Sequence, residues 1–134
     1  VENVVSDGVS AASAAGVSTS QAVTGLVMGV IEGVKEVGGD VGTSATQAAH
    51  GVVKATQQVG GDIGETAVSA VAGAVGAARD IGGDVGKLAT GAVMGALKAA
   101  DEISSEAGSL VRKALLSAAS LPHDIIDALL TGKA

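Results

Sequence analysis

Two histidines are the side chains of this sequence best suited to acid–base or metal chemistry, because imidazole changes its charge near neutral pH and is a common metal ligand. They are His50 and His123, which lie far apart in the sequence. A zinc site needs further ligands at short, regular spacing. The sequence has no Cys, no His-Glu-x-x-His segment and no closely spaced pair of histidines. We therefore interpret both histidines as ordinary surface or interface residues, and we expect no metal and no cofactor.

Three aspartates at equivalent places, Asp40, Asp62 and Asp84, form the second group whose side chains could bind a ligand. Calcium takes about 6–8 oxygen ligands, often from several acidic side chains of one loop, whereas each of these segments offers one aspartate. The glycines before them are not followed by the Lys-Ser/Thr of a phosphate-binding loop. No Gly-x-Ser-x-Gly nucleophile segment is present either. The sequence therefore predicts neither an enzyme nor a small-molecule substrate.

The aspartates belong to a motif that recurs every 22 residues. Gly-Gly-Asp-Val-Gly begins at Gly38 and again at Gly82, Gly-Gly-Asp-Ile-Gly begins at Gly60, and weaker copies begin at Ser104 and Gly16. Other positions keep the same register. The residues before the motif are Val37, Val59, Ile81 and Ile103. Another position is glycine in four successive repeats, and we call these residues the glycine column: Gly29, Gly51, Gly73 and Gly95. Such periodicity indicates an array of equivalent structural units.

The apolar positions of each repeat are three or four residues apart, which is the period of an α-helix rather than of a strand. We therefore predict an all-α fold of tandem 22-residue helical repeats. In one arrangement, the two glycines end a helix and the aspartate caps the next, so that helices of about 18 residues and about 27 Å pack as hairpins. In the other, one helix continues through the glycines at about 1 kcal/mol each. We favour the hairpins.

The hairpin arrangement also predicts the roles of the motif residues and the organisation of the chain. The predicted turn and cap residues are Gly38, Gly39, Asp40, Gly60, Gly61, Asp62, Gly82, Gly83 and Asp84. Pro122 is expected to end or kink the helix before it. We therefore divide the chain into a helical repeat region, residues 1–121, and a short C-terminal segment, residues 122–134.

Glycines inside the predicted helices need a compensating interaction. About ten of them would cost on the order of 10 kcal/mol in isolated helices, which is comparable to the whole net stability of a typical domain. Glycine lets two helix backbones approach closely, so we predict that Gly29, Gly51, Gly73 and Gly95 are helix-packing residues. The glycine column and the recurring apolar positions of the repeat lie on different sides of the helix. Packing on two sides is typical of a sheet, filament, tube or shell of helices.

Composition limits the partners. The net charge is −6, and Phe, Tyr and Trp are absent, so the sequence lacks both the cationic clusters and the stacking side chains that nucleic-acid binding uses. The mean hydropathy of +0.49 is high. However, a spanning helix needs about 20 apolar residues, and the longest uncharged run, residues 8–31, contains Ser, Thr and Gln. We expect no nucleic-acid partner and no membrane-spanning architecture.

The segment Gly-Val-Val-Lys-Ala-Thr at residues 51–56 and the 11/22-residue period resemble those of synucleins, exchangeable apolipoproteins and late-embryogenesis-abundant proteins. The resemblance implies amphipathic helices that form on lipid or in dry conditions. The chain is also similar to glycine-rich microbial repeat proteins of uncharacterised function.

The sequence as a whole favours a structural protein that assembles with copies of itself into a filament, tube or shell. The partner is then a second copy of the same chain. Two alternatives remain open: an amphipathic protein that binds a lipid or granule surface, and a stress-protective helical repeat protein. The sequence does not indicate a cellular compartment.

Overall fold

The computed structural model describes residues 19–118 and 121–131, which form six α-helices and no strand. The helices are α1 (Thr19–Glu36), α2 (Val41–Gln58), α3 (Ile63–Ile81), α4 (Val85–Ile103), α5 (Ser105–Ser117) and α6 (His123–Thr131). The predicted all-α class is therefore confirmed. The predicted division after residue 121 falls between α5 and α6. Residues 1–18 and 132–134 of the two predicted regions, including the start of the weak motif copy at Gly16, lie outside the described residues.

The apolar spacing of α1 shows why these segments are helical and which face they bury. Val23, Val27 and Ile31 have no exposed surface, and their four-residue spacing places them on one face of the helix. Gly25 and Gly29 lie on another face and are exposed. Burial of an aliphatic side chain stabilises the fold by about 1.5–3 kcal/mol, so the buried face holds α1 against the rest of the chain.

Each Gly-Gly-Asp motif interrupts the helix. Its first glycine has a positive φ, which is 74° at Gly38, 73° at Gly60 and 69° at Gly82, and a residue with a Cβ rarely adopts this conformation. The second glycine donates its N–H to a carbonyl five residues earlier, as Gly61 does to Thr56 at 2.9 Å. This bond is the mark of a Schellman turn, which satisfies a carbonyl at the helix end. The described residues therefore adopt separate helices and not one continuous helix.

The aspartate of each motif caps the helix that follows. The carboxylates of Asp40, Asp62 and Asp84 accept a hydrogen bond from the backbone N–H three residues later, at 3.2, 3.1 and 3.0 Å. The bond from the Thr43 N–H is the main reason why the pKa of Asp40 lies below its usual value. Such a cap satisfies one of the N–H groups that the first helical turn leaves unpaired.

The fourth break, between α4 and α5, is shorter. Ser104 alone separates the two helices, in an extended conformation with φ −172° and ψ 165°, and its Oγ accepts a hydrogen bond from the Ala107 N–H at 3.0 Å. This weaker motif copy has no glycine pair and therefore no left-handed turn. The serine cap alone starts the new helix.

Removal of one cap is expected to weaken the fold measurably. Asp62→Ala should lower the free energy of unfolding by about 0.5–2 kcal/mol, because the Glu65 N–H loses its acceptor. Urea unfolding followed by circular dichroism measures the difference. Asp80→Ala, an exposed change inside the last turn of α3, is the control and should change stability less. Equal stability of Asp62→Ala and the wild type would contradict the capping role.

The helices stack in two layers. Each described helix contacts only its sequence neighbours and the helices two places away, so α1, α3 and α5 form one layer and α2, α4 and α6 the other. Within a layer the pairs run parallel. For example, Ser20 of α1 bonds to Glu65 of α3, and one turn later Thr24 bonds to Ser69. The chain therefore alternates between layers and advances along the stack.

The core is built mainly from alanine and valine. Its largest fully buried side chains include Ile31, Leu88, Leu115 and Ile126. A buried bond of 2.9 Å between the hydroxyls of Thr56 and Thr66 links α2 to α3. Because most core side chains are small, the helices must lie close together for these side chains to touch.

Candidate helix-packing surfaces

The structure places the four residues of the predicted glycine column in different surroundings. Gly51, Gly73 and Gly95 are buried in α2, α3 and α4, whereas Gly29 of α1 is exposed. The contacts of Gly73 and Gly95 involve the helix two places earlier in the chain. The same position of the repeat therefore lies inside the stack in α3 and α4 and at its surface in α1.

Gly73 lies against the backbone of α1. A Cβ at this position would be 2.8 Å from the Thr24 carbonyl oxygen and 3.1 Å from the Val27 Cβ. Thr24 strengthens this contact, because its hydroxyl lies 3.0 Å from the Ser20 carbonyl oxygen and 3.3 Å from the Ser69 carbonyl oxygen across the interface. The α1–α3 contact therefore combines close backbone approach with a polar link.

Gly95 makes the corresponding contact between α4 and α2. A Cβ at Gly95 would overlap the Thr46 carbonyl group. One turn earlier, a Cβ at Gly91 would be 2.9 Å from the Thr46 hydroxyl and 3.0 Å from the Gly42 carbonyl oxygen. Thr46 and Gly95 follow Thr24 and Gly73 by 22 residues each. The two interfaces therefore share the close approach of a glycine to the backbone carbonyl of a threonine.

The exposed glycines of α1 form an uncovered surface. Among the described residues, no packed neighbour lies within 4 Å of the position that a Cβ would take at Gly25, Gly29 or Gly33. We call these three residues the α1 glycine face. Their four-residue spacing aligns them along one side of the helix, and Glu32 and Glu36 lie beside them. These three positions are therefore open to contact from outside the described residues.

Both histidines contact neighbouring elements within the described part of the chain. His50 Nε2 is 2.7 Å from Glu102 Oε1, and Lys54 Nζ is 3.3 Å from the same oxygen. These contacts link α2 to α4, and the bond to His50 is the main cause that lowers the pKa of Glu102. His123 Nε2 lies 2.7 Å from the Ala118 carbonyl oxygen at the start of α6. Both side chains connect structural elements.

A bidentate ion pair connects α4 to α5 across the short break. Arg112 donates to both carboxylate oxygens of Asp101, at 3.0 and 3.1 Å. These hydrogen bonds lower the pKa of Asp101 and raise that of Arg112. Because the pKa of Asp101 is lowered in the folded state, the pair stabilises the fold above the ordinary aspartate pKa, and this contribution is lost as the pH falls. Both side chains are largely exposed, so the contribution is small.

A groove of about 930 Å³ lies between α4 and α6. Its apolar lining consists of Met94, Leu97, Leu129 and Leu130, and its charged lining is mixed: Lys98, Asp101, Glu102 and Arg112. Met94 is 53% exposed. We call this surface the α4–α6 groove. It is the second place where apolar surface is available for contact.

The described part of the chain offers no group of three or more His, Cys, Asp or Glu side chains placed to bind a metal ion. Across residues 19–118 and 121–131, no helix combines the length and the apolarity needed to cross a bilayer.

Sequence reasoning missed the partners of the glycines. Thr24 and Thr46 occupy one position of the repeat, and this recurrence was a usable signal. The sequence contained no comparable signal for the Asp101–Arg112 pair, because its two residues belong to different helices. The sequence contained no signal for the α4–α6 groove either, because the groove depends on where α6 lies.

Comparison of the chain with protein-family models found no match, and comparison with curated proteins and with solved structures found none either.

Proposed function

We propose that this chain is a structural protein that assembles with copies of itself, through close packing of glycine- and alanine-rich helices, into a filament, tube or shell. The observation that carries the proposal is the α1 glycine face. Gly73 and Gly95 bring two helix backbones into contact within the chain, whereas the equivalent Gly29 has no packed neighbour among the described residues.

The energetics of helix formation support this proposal. Gly25, Gly29 and Gly33 together weaken α1 by about 2–3 kcal/mol relative to alanine. Glycine is needed at Gly73, because a Cβ there would meet the Thr24 carbonyl oxygen. Within the part of the chain that the structure describes, no such contact explains the three glycines of α1. A helix from another copy that approaches as closely as α1 approaches α3 would explain them.

The repeat supports the proposal in a second way. We infer that the 22-residue sequence repeat corresponds to one helix and its turn, so that the contact between helices two places apart recurs along each layer. Contacts that recur along such a stack can continue between copies where a face of the stack is open. The α1 glycine face is open among the described residues, and Glu32 and Glu36 lie beside it.

The proposal is tested by replacing Gly29. We expect sedimentation velocity to show large particles for the wild type and a monomer for Gly29→Leu, because the leucine blocks close approach of another helix. The melting temperature of the monomeric Gly29→Leu variant should stay unchanged or rise, since Gly29 faces open space and leucine favours the helix.

Gln57→Leu provides the matched control, because it adds a leucine at an exposed position of α2 and should assemble like the wild type. A monomeric wild type would overturn the proposal. If the wild type instead gains helix and binds only when liposomes are added, the lipid-surface alternative explains the chain better.

A further inference from the structure

Met94 and Met28 occupy the same position of the repeat but different surroundings. They are 66 residues apart, three repeats of 22. The end of the Met28 side chain covers Gly76 of α3, with its Cε 3.3 Å and its Sδ 3.4 Å from the position of a Cβ there. Met94 of α4 remains 53% exposed. One methionine therefore packs over a glycine of the helix two places later, and the other has no such contact among the described residues.

The groove contains both acidic and basic residues, but Asp101, Glu102 and Arg112 are engaged in ion pairs, and the charge that remains unpaired is opposite to those beside the α1 glycine face. Lys98 lies one turn after Met94, is exposed, and has no ion-pair partner among the described residues. Glu32 and Glu36 lie beside the α1 glycine face and likewise have no ion-pair partner in this part of the chain. Opposite charges at the edge of a contact direct two surfaces towards each other and fix their orientation.

From these observations we propose that the α4–α6 groove of one copy docks on the α1 glycine face of another. Met94 packs over Gly29 and Gly33, and Lys98 pairs with Glu32 or Glu36. This inference rests on the proposed self-assembly and names the two surfaces that perform it.

The two surfaces are different, so the contact is heterologous. Each copy keeps one free groove and one free glycine face after it has bound a neighbour. Such contacts close into a ring or continue as an open filament, depending on the rotation between copies. A symmetric contact between two α1 glycine faces would instead stop at a dimer.

Two variants block one surface each. Gly29→Leu fills the glycine face, and Met94→Glu places a charge in the groove. Both positions are exposed, so both variants should fold. By sedimentation velocity we expect each variant alone to be monomeric, and an equal mixture of the two to form dimers and nothing larger, because the mixture contains one intact groove and one intact glycine face per pair.

Val59→Glu, an equivalent change at an apolar residue that is 45% exposed outside the groove, serves as the control and should assemble normally. A monomeric wild type would overturn both this inference and the proposed function. A wild type that assembles together with a Met94→Glu variant that assembles equally well would overturn this inference alone.

The proposed pairing of Lys98 with Glu32 or Glu36 can be tested by a second, independent measurement. We expect Lys98→Glu to raise the dissociation constant of the contact between groove and glycine face by about tenfold or more. Lys113→Glu, an exposed change outside the groove, should raise this constant less. Adding Glu32→Lys and Glu36→Lys to Lys98→Glu should restore most of the affinity. A triple variant as weak as Lys98→Glu would show that these charges do not meet.

Discussion

Replacement of Gly95 by alanine is expected to lower the free energy of unfolding by up to about 2 kcal/mol. A Cβ at Gly95 would overlap the backbone carbonyl of Thr46, and a backbone group cannot rotate away as a side chain can. Helices α2 and α4 must then separate, which weakens their packing, and overpacking of this kind costs about 1–3 kcal/mol or more. The better helix propensity of alanine offsets about 1 kcal/mol of this loss.

Gly29→Ala is the matched control for this prediction. It introduces the same methyl group at the same position of the repeat, but into open space, so it should raise stability by up to about 1 kcal/mol. Urea unfolding, carried out at concentrations where the chain is monomeric, measures both variants. If the two variants change stability in the same direction, the α2–α4 contact is not the reason for glycine at position 95.

Leu88→Ala is expected to cause the largest loss of stability, about 2–5 kcal/mol. Leu88 is 1% exposed and is one of the largest side chains in a core of alanine and valine. Few large neighbours are available to fill the cavity that its removal leaves. Because a domain of this size has a net stability of only about 5–15 kcal/mol, the variant should unfold at a much lower urea concentration.

Met94→Ala controls for the removal of an apolar side chain from the same helix. Met94 is 53% exposed, so its replacement should change stability by no more than about 0.5 kcal/mol. Urea unfolding gives the stability change of both variants, because the midpoints can be compared when the free energy of unfolding has the same dependence on urea concentration. Leu88→Ala with a wild-type midpoint would contradict the position of Leu88 in the core.

The turns show how far local sequence reasoning reaches. Gly60 adopts a positive φ, and Asp62 accepts a hydrogen bond from the Glu65 N–H. Both features depend on a few adjacent residues and follow from their covalent structure: glycine lacks a Cβ, and aspartate has a short side chain that accepts hydrogen bonds. The helix class was predictable for a similar reason, since it follows from the spacing of apolar residues along the chain.

The partner of each glycine was not predictable in this way. Gly29, Gly73 and Gly95 have equivalent positions in the repeat, yet Gly73 meets Thr24, Gly95 meets Thr46, and Gly29 meets no packed neighbour among the described residues. Nothing in the local sequence separates a glycine inside the stack from one at its surface. The difference comes from the place of each helix in the stack.

The sequence by itself therefore determined the helices, the residues that end and cap them, and the small size of the core side chains, because these properties arise from groups a few residues apart. Only the tertiary structure decided that helices two places apart pack in parallel, that α1 keeps an open glycine face and that Met94 lies exposed in the α4–α6 groove. The physical reason is that helices with similar apolar patterns can pair in several ways with similar local contacts, and the burial achieved by the whole stack selects among them.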